Sequence, residues 1–206
     1  MIVQTAVRLL LGVLFLCVGC SQAAAQVQPQ TDPIQVLVAY HSLSGNTETM
    51  ARSVLAGAQV IPGTRVLLYK VEEVTEEILF SSDAVIVGSP VYWSNMSGEV
   101  KTFFDRWQFE FGVFPEFKMR NKVGAAFATG GQVSSGKEVT MLTILAAMLG
   151  NQMIIVSGGG AFGASATTEG DSPGINEQEK GDARALGKRV AEVTWMLKHG
   201  AVPPAH

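Results

Sequence analysis

Short runs of unbroken apolar residues, separated by stretches with helical spacing, limit the architecture more than any other feature. Ile34–Tyr40 (IQVLVAY), Thr64–Lys70 (TRVLLYK), Asp83–Pro90 (DAVIVGSP), Asn121–Gly131 (NKVGAAFATGG) and 152–160 (QMIIVSGGG) read as strands. None keeps the in–out alternation of a sheet with one wet face. Between them, residues 46–58 place Met50, Val54 and Ala58 at helical spacing. Residues 97–107 gather Val100, Phe103, Phe104 and Trp107 on one face. Residues 137–150 close on Gly150, and the amphipathic run 176–200 ends in Lys198, His199 and Gly200. The acidic piece 71–82 has room for only a brief helix. Buried strands joined by helices mean a parallel sheet covered on both sides. The expected fold is α/β: a doubly wound, five-stranded parallel sheet in a three-layer α/β/α arrangement over residues 34–200.

Open sheets of this class bind ligands beyond the carboxyl ends of their strands, where strand order reverses. That singles out the loops after Tyr40, Pro90 and Thr129. In the first, Ser42-Leu43-Ser44-Gly45-Asn46-Thr47 leads from strand straight into helix. A helix opening near Asn46 leaves about four N–H groups unpaired and carries about half a positive charge there. A phosphate fits that mouth, with hydroxyls from Ser42, Ser44 and Thr47 and close backbone approach at Gly45. The plainer alternative is a junction with Ser44 or Asn46 as an ordinary N-cap. The loop has neither the lysine of a P-loop nor the three-glycine spacing of a dinucleotide site, which favours a monophosphate.

The second loop, Ser89 to Gly98, sets Tyr92 and Trp93 directly after a buried strand. Such aromatics suit stacking on a flat ring, or else belong to the core or a subunit contact. The third, Ala128 to Glu138, is small and polar. It can bring N–H groups against a heteroaromatic edge, or it is a mobile surface loop. Together the three loops describe a site for a ring-bearing mononucleotide such as FMN.

Other classes are disfavoured. A net charge of −3 without a basic cluster argues against a nucleic-acid phosphate track. The three histidines, His41, His199 and His206, form no metal-ligand or triad pattern. His41, beside the first loop, is either a structural rim residue or a cation near phosphate.

Residues 1–25 read as a secretory signal: Arg8, a short apolar run, then Ala23-Ala24-Ala25 before Gln26. The alternatives are an uncleaved anchor and a lipoprotein signal in which Cys20 becomes the lipidated first residue. Both cysteines, Cys17 and Cys20, lie in this leader, so a chain cut after Ala25 has no thiol or disulfide chemistry. Residues 26–33 form a linker and 201–206 a tail. The expected location is the bacterial cell envelope, periplasmic or tethered through Cys20.

VLVAYHSLSGNTETMA, SPVYWSNMSGEVKTFFDR and KVGAAFATGG, in this order, resemble the flavodoxin-like flavoproteins from about Ile34 to His199. The likeness is closest to the WrbA-type NAD(P)H:quinone oxidoreductases (the NADPH-dependent FMN reductase family). The resemblance implies that Ser42, Leu43, Ser44, Gly45, Asn46 and Thr47 hold the FMN phosphate. It places Val91, Tyr92 and Trp93 along the isoalloxazine and counts Pro90 and Asn95 among the cofactor contacts. Thr129, Gly130, Gly131, Gln132, Val133 and Ser134 would hold its polar edge and the ribityl chain. Phe114, with Trp93, would meet the substrate. Members of the family are often tetramers in which neighbouring subunits complete the site, so a homo-oligomer, dimer or tetramer, is expected. The chemistry implied is two-electron transfer from NAD(P)H through FMN to a quinone-like acceptor, borne by the flavin without a catalytic side chain. Ser44 stands where the family has an aromatic associated with nicotinamide binding, and the leader is unlike the usual cytoplasmic relatives. The rival readings are an exported electron carrier or redox partner without NAD(P)H turnover, and a scaffold without FMN.

Overall fold

The computed structural model describes residues 32–168 and 174–203. The leader, most of the linker and residues 204–206 of the tail lie outside the described residues. The first strand, β1 (Ile34–Tyr40), is followed by α1 (Asn46–Ala58) and β2 (Thr64–Lys70). A 3₁₀ turn at Val71–Glu73 and the short helix α2 (Glu76–Ser81) lead into β3 (Ala84–Tyr92). The two-residue strand β4 (Asn95–Met96) precedes α3 (Gly98–Phe109) and β5 (Val123–Gly130). Then come α4 (Lys137–Gly150), β6 (Ile154–Ile155), β7 (Ala164–Thr167) and the long helix α5 (Glu177–His199).

The sheet runs β2–β1–β3–β5, with β6 and β7 sharing the place beyond β5. Every pairing but the β3–β4 hairpin is parallel. Alternate residues of β1 enter opposite cores, as a sheet buried on both faces requires. Val36, Val38 and Tyr40 pack with Met50 and Val54 of α1 and Leu186 and Val190 of α5. Leu37 and Ala39 pack with Phe103 and Trp107 of α3 and Ile144 and Met148 of α4. The result is the expected three-layer α/β/α fold.

Two glycines set the distance between α1 and α5. A Cβ on Gly57 would stand 1.9 Å from the Arg184 carbonyl oxygen, and one on Gly187 would stand 1.9 Å from that of Val54. The two backbones therefore approach closely at two places, in each of which one helix contributes a glycine and the other a main-chain carbonyl.

Two expectations need correction. The fifth strand is not one continuous run over 152–160. Ile154–Ile155 pairs with the start of β5, the chain leaves through a glycine-rich excursion, and Ala164–Thr167 returns to pair with Phe127–Gly130. The small residues of β7 carry too little hydrophobic signal to announce a strand, yet Ala164 and Ala166 are fully buried. The loop after Pro90 is also no open loop. Val91 pairs with Met96 and Tyr92 with Asn95 in a tight hairpin. At its tip Trp93 and Ser94 have φ of 51° and 61°, the sign that two-residue hairpin turns need and that Asn-Gly normally supplies.

Strand order reverses between β1 and β3, because the chain steps from β1 outward to β2 and then back across β1. The carboxyl ends of β1, β3, β5 and β7 thus meet around the start of α1.

Candidate cofactor site

The mouth of α1 is built by Gly45, whose φ of 89° lies in the left-handed region that glycine enters without strain. Gly45 caps the helix with no side-chain bond. Instead Ser42 Oγ accepts the N–H groups of Gly45 and Glu48, each at 3.2 Å. The Thr49 N–H bonds the Gly45 carbonyl at 3.0 Å. Of the first four helical N–H groups, those of Asn46 and Thr47 therefore have no protein acceptor among the described residues. They sit where the helix dipole favours an anion.

The side chains behind this mouth are occupied and buried. Asn46 donates to Ser44 Oγ at 3.2 Å and accepts the Gly174 N–H at 3.1 Å. Thr47 Oγ1 shares a hydrogen bond of 2.8 Å with Thr129 Oγ1, at the end of β5. This bond joins the first loop to the third. The second joins the third through the hairpin tip: a Cβ on Gly136 would stand 2.8 Å from Ser94 Cα.

Between the three loops lies a cleft of about 270 Å³, lined by Leu43, Ser44, Asn46, Pro90, Val91, Tyr92, Thr129, Gly130, Gly131 and Thr168. Burial and the nearby Glu99 carboxylate push the Tyr92 phenol above its ordinary value of 10.0, so at neutral pH it is a hydrogen-bond donor. Below the hairpin, His41 Nε2 lies 3.5 Å from Glu99 Oε2. The His41 ring meets Tyr92 edge-on at 6.4 Å.

The comparisons with known proteins agree with this geometry. The family model for NADPH-dependent FMN reductase matches residues 68–168, beyond the first loop. A flavodoxin of Clostridium saccharobutylicum is 31% identical over 160 residues, covering 77% of this chain and 96% of that protein. This chain belongs to the flavodoxin-like flavoproteins. An NAD(P)H dehydrogenase (quinone) of Chromohalobacter salexigens is 29% identical, with 79% of this chain and 98% of the relative covered. The crystal structure of a WrbA-like flavodoxin from Agrobacterium tumefaciens superposes with a TM-score of 0.68 at 25% identity, covering 79% of this chain and 98% of that one.

In this flavoprotein, nine of the residues expected at the cofactor line the cleft: Leu43, Ser44, Asn46, Pro90, Val91, Tyr92, Thr129, Gly130 and Gly131. Ser42, Gly45 and Thr47 shape the helix mouth behind it. Gln132, Val133 and Ser134 form the exposed outer part of the third loop. Trp93 stands fully exposed at the hairpin tip. Phe114 is half-exposed and packs edge-on against Phe117 at 5.6 Å. Asn95 lines a different groove, between α3 and α4. Its amide oxygen accepts the Met96 N–H at 2.8 Å and the Thr143 hydroxyl at 3.0 Å. Hairpin pairing sends it there, since Asn95 lies opposite Tyr92 across a two-residue turn.

Three residues near the cleft escaped the sequence reading. Thr168 lines it because its N–H bonds the Gly130 carbonyl at 2.9 Å, extending the β5–β7 pairing. Ser135 presses its hydroxyl against Gly130, 2.1 Å from where a Cβ would stand, and that buried oxygen has no partner among the described residues. Lys137 is buried although charged. No local signal marked Thr168, Ser135 or Lys137, since each reaches the cleft through contacts made only in the folded chain.

Proposed function

We propose that the cleft binds FMN with its phosphate at the mouth of α1, and that the protein passes two electrons from NAD(P)H through FMN to a quinone-like acceptor. The observation that carries this reading is the pair of unspent N–H groups, Asn46 and Thr47, opening onto a cleft walled by the loops of β3 and β5. The residues present suit the cofactor. Helix donors fit a phosphate dianion, Pro90 to Tyr92 offer an apolar and aromatic wall, and Gly130 and Gly131 permit close backbone approach. When bound, FMN supplies two-electron exchange between a nicotinamide donor and an acceptor. The chain's own part is to bind and orient. Ser42 and Gly45 shape the anion seat, the Tyr92 phenol stays protonated, and N–H groups of Gly130 to Ser134 meet the polar ring edge. The relatives named as NAD(P)H dehydrogenases (quinone) support the donor and acceptor classes.

The likeness to a flavodoxin supports a second reading, an electron carrier without nicotinamide turnover. Absorption spectra decide between them. Purified protein with FMN should be yellow, bleach on addition of NADPH, and recover colour with benzoquinone. A yellow protein that does not bleach is the carrier, and a protein that takes up no FMN is neither. Comparing FMN with riboflavin isolates the phosphate contribution, and Ser44→Glu should weaken FMN binding at least tenfold by repulsion. Export, with a tether through Cys20 as its variant, and a homo-oligomer that completes the cleft are part of the same proposal. Cell fractionation with a Cys20→Ala control and light scattering test them.

A further inference from the structure

Lys137 is the first residue of α4, the helix end at which a cation is electrostatically disfavoured. It is nonetheless only 5% exposed. Its ammonium donates to the carbonyl oxygens of Gln132 at 3.0 Å and Val133 at 3.1 Å, and to Thr167 Oγ1 at 2.7 Å. Among the described residues its hydrogen-bond partners are these three neutral oxygens. Buried charges are as a rule paired with an opposite charge, because desolvation is costly. The stem lies directly behind the cleft wall: a Cβ on Gly130 would stand 3.2 Å from Lys137 Cγ.

A trans peptide unit is planar and points its C=O and N–H in opposite directions. With the Gln132 and Val133 carbonyls drawn inward to the ammonium, the N–H groups of Val133 and Ser134 are turned the other way, outward from the loop. We propose that Lys137 is the positioning residue of this loop. It ties the loop carbonyls back so that the loop's N–H groups are offered to the electron-rich edge of the bound cofactor. It also sets a positive charge behind the Gly130 wall that favours the reduced, more electron-rich form. The inference rests on the FMN reading above, and Thr167 shares the work by anchoring the ammonium to β7.

The test compares the full chain with Lys137→Met, which keeps the stem and removes the charge. FMN binding, read by flavin fluorescence quenching, should weaken at least tenfold. Reduced FMN should lose about tenfold more than oxidised FMN, lowering the two-electron midpoint potential by about 30 mV. In cofactor-free protein the Val133 and Ser134 amides should exchange hydrogen at least tenfold faster, and the affinity for inorganic phosphate should stay unchanged. A folded Lys137→Met protein with wild-type FMN affinity, potential and amide exchange overturns the proposal. If that variant does not fold, Thr167→Val carries the test: about threefold weaker FMN binding with faster loop exchange supports it, and no change overturns it. Wild-type protein that binds no FMN defeats the functional reading. In that case unchanged amide exchange in Lys137→Met defeats the loop role separately.

Discussion

The hydroxyls of Thr47 and Thr129, 82 residues apart in sequence, share one buried hydrogen bond of 2.8 Å. It fastens the helix that would hold a phosphate to the strand end that would meet a ring. Replacing either threonine with valine leaves the other hydroxyl buried without its partner, which costs about 1–3 kcal/mol. The double variant should cost less than the sum of the singles, because no orphan remains. Urea denaturation of all four proteins checks this.

The close approach of α1 and α5 makes Gly57 and Gly187 sensitive to a single methyl group. Gly187→Ala pushes a Cβ to within 1.9 Å of a main-chain oxygen, and backbone moves only if the helices separate. Overpacking of this kind costs about 1–3 kcal/mol or more. A lower Tm is expected despite alanine's better helix propensity, and an unchanged or higher Tm would contradict the packing described.

Glu179 ties two elements together. Its carboxylate accepts the Thr167 N–H at 2.7 Å and the Asn176 N–H at 2.9 Å, while Asn176 Oδ1 accepts the Glu179 N–H at 2.9 Å. Asn176→Ala removes the cap alone and should cost about 1 kcal/mol. Glu179→Ala also frees the end of β7, beside Thr168 in the cleft wall. It should lower both thermal stability and FMN affinity, whereas Asn176→Ala should leave affinity near wild type. Paired melting curves and FMN titrations separate the two.

The Glu99 carboxyl is held below its ordinary value of 4.5, first by its own backbone N–H at the start of α3, then by the Ser97 hydroxyl and His41. A carboxyl depressed by folding contributes stability that is present above the unfolded value and lost as pH falls through the folded one. The stabilising contribution should therefore fade below pH 4.5. Glu99→Gln should flatten that part of a Tm-against-pH curve by lowering Tm slightly at neutral pH and leaving it unchanged in acid, the loss being small because the side chain is half exposed.

Much of this was legible in the residues. Ile34–Tyr40 and Asp83–Pro90 announce buried strands by composition, and the turn at Gly45 announces a helix start. These signals are local, each carried by a few neighbouring side chains. β7 was not legible, because Ala164-Ser165-Ala166-Thr167 becomes a strand only when β5 offers its open edge. The hairpin at Trp93-Ser94 was hidden for a related reason. Its turn lacks the residues that favour positive φ and is held by pairing and by contact with Gly136.

The sequence by itself determined the alternation of strand and helix, the parallel sheet that follows from it, and a helix mouth suited to an anion. These follow from periodicity, propensity and unpaired amides, all set within a turn or two of chain. The tertiary structure alone decided which partners the polar groups find: Thr129 for Thr47, Thr167 for Lys137, and bare backbone for Gly57. A hydroxyl, an ammonium or a missing Cβ has no preferred partner along the chain. Its role is settled by whichever distant segment the fold carries past it.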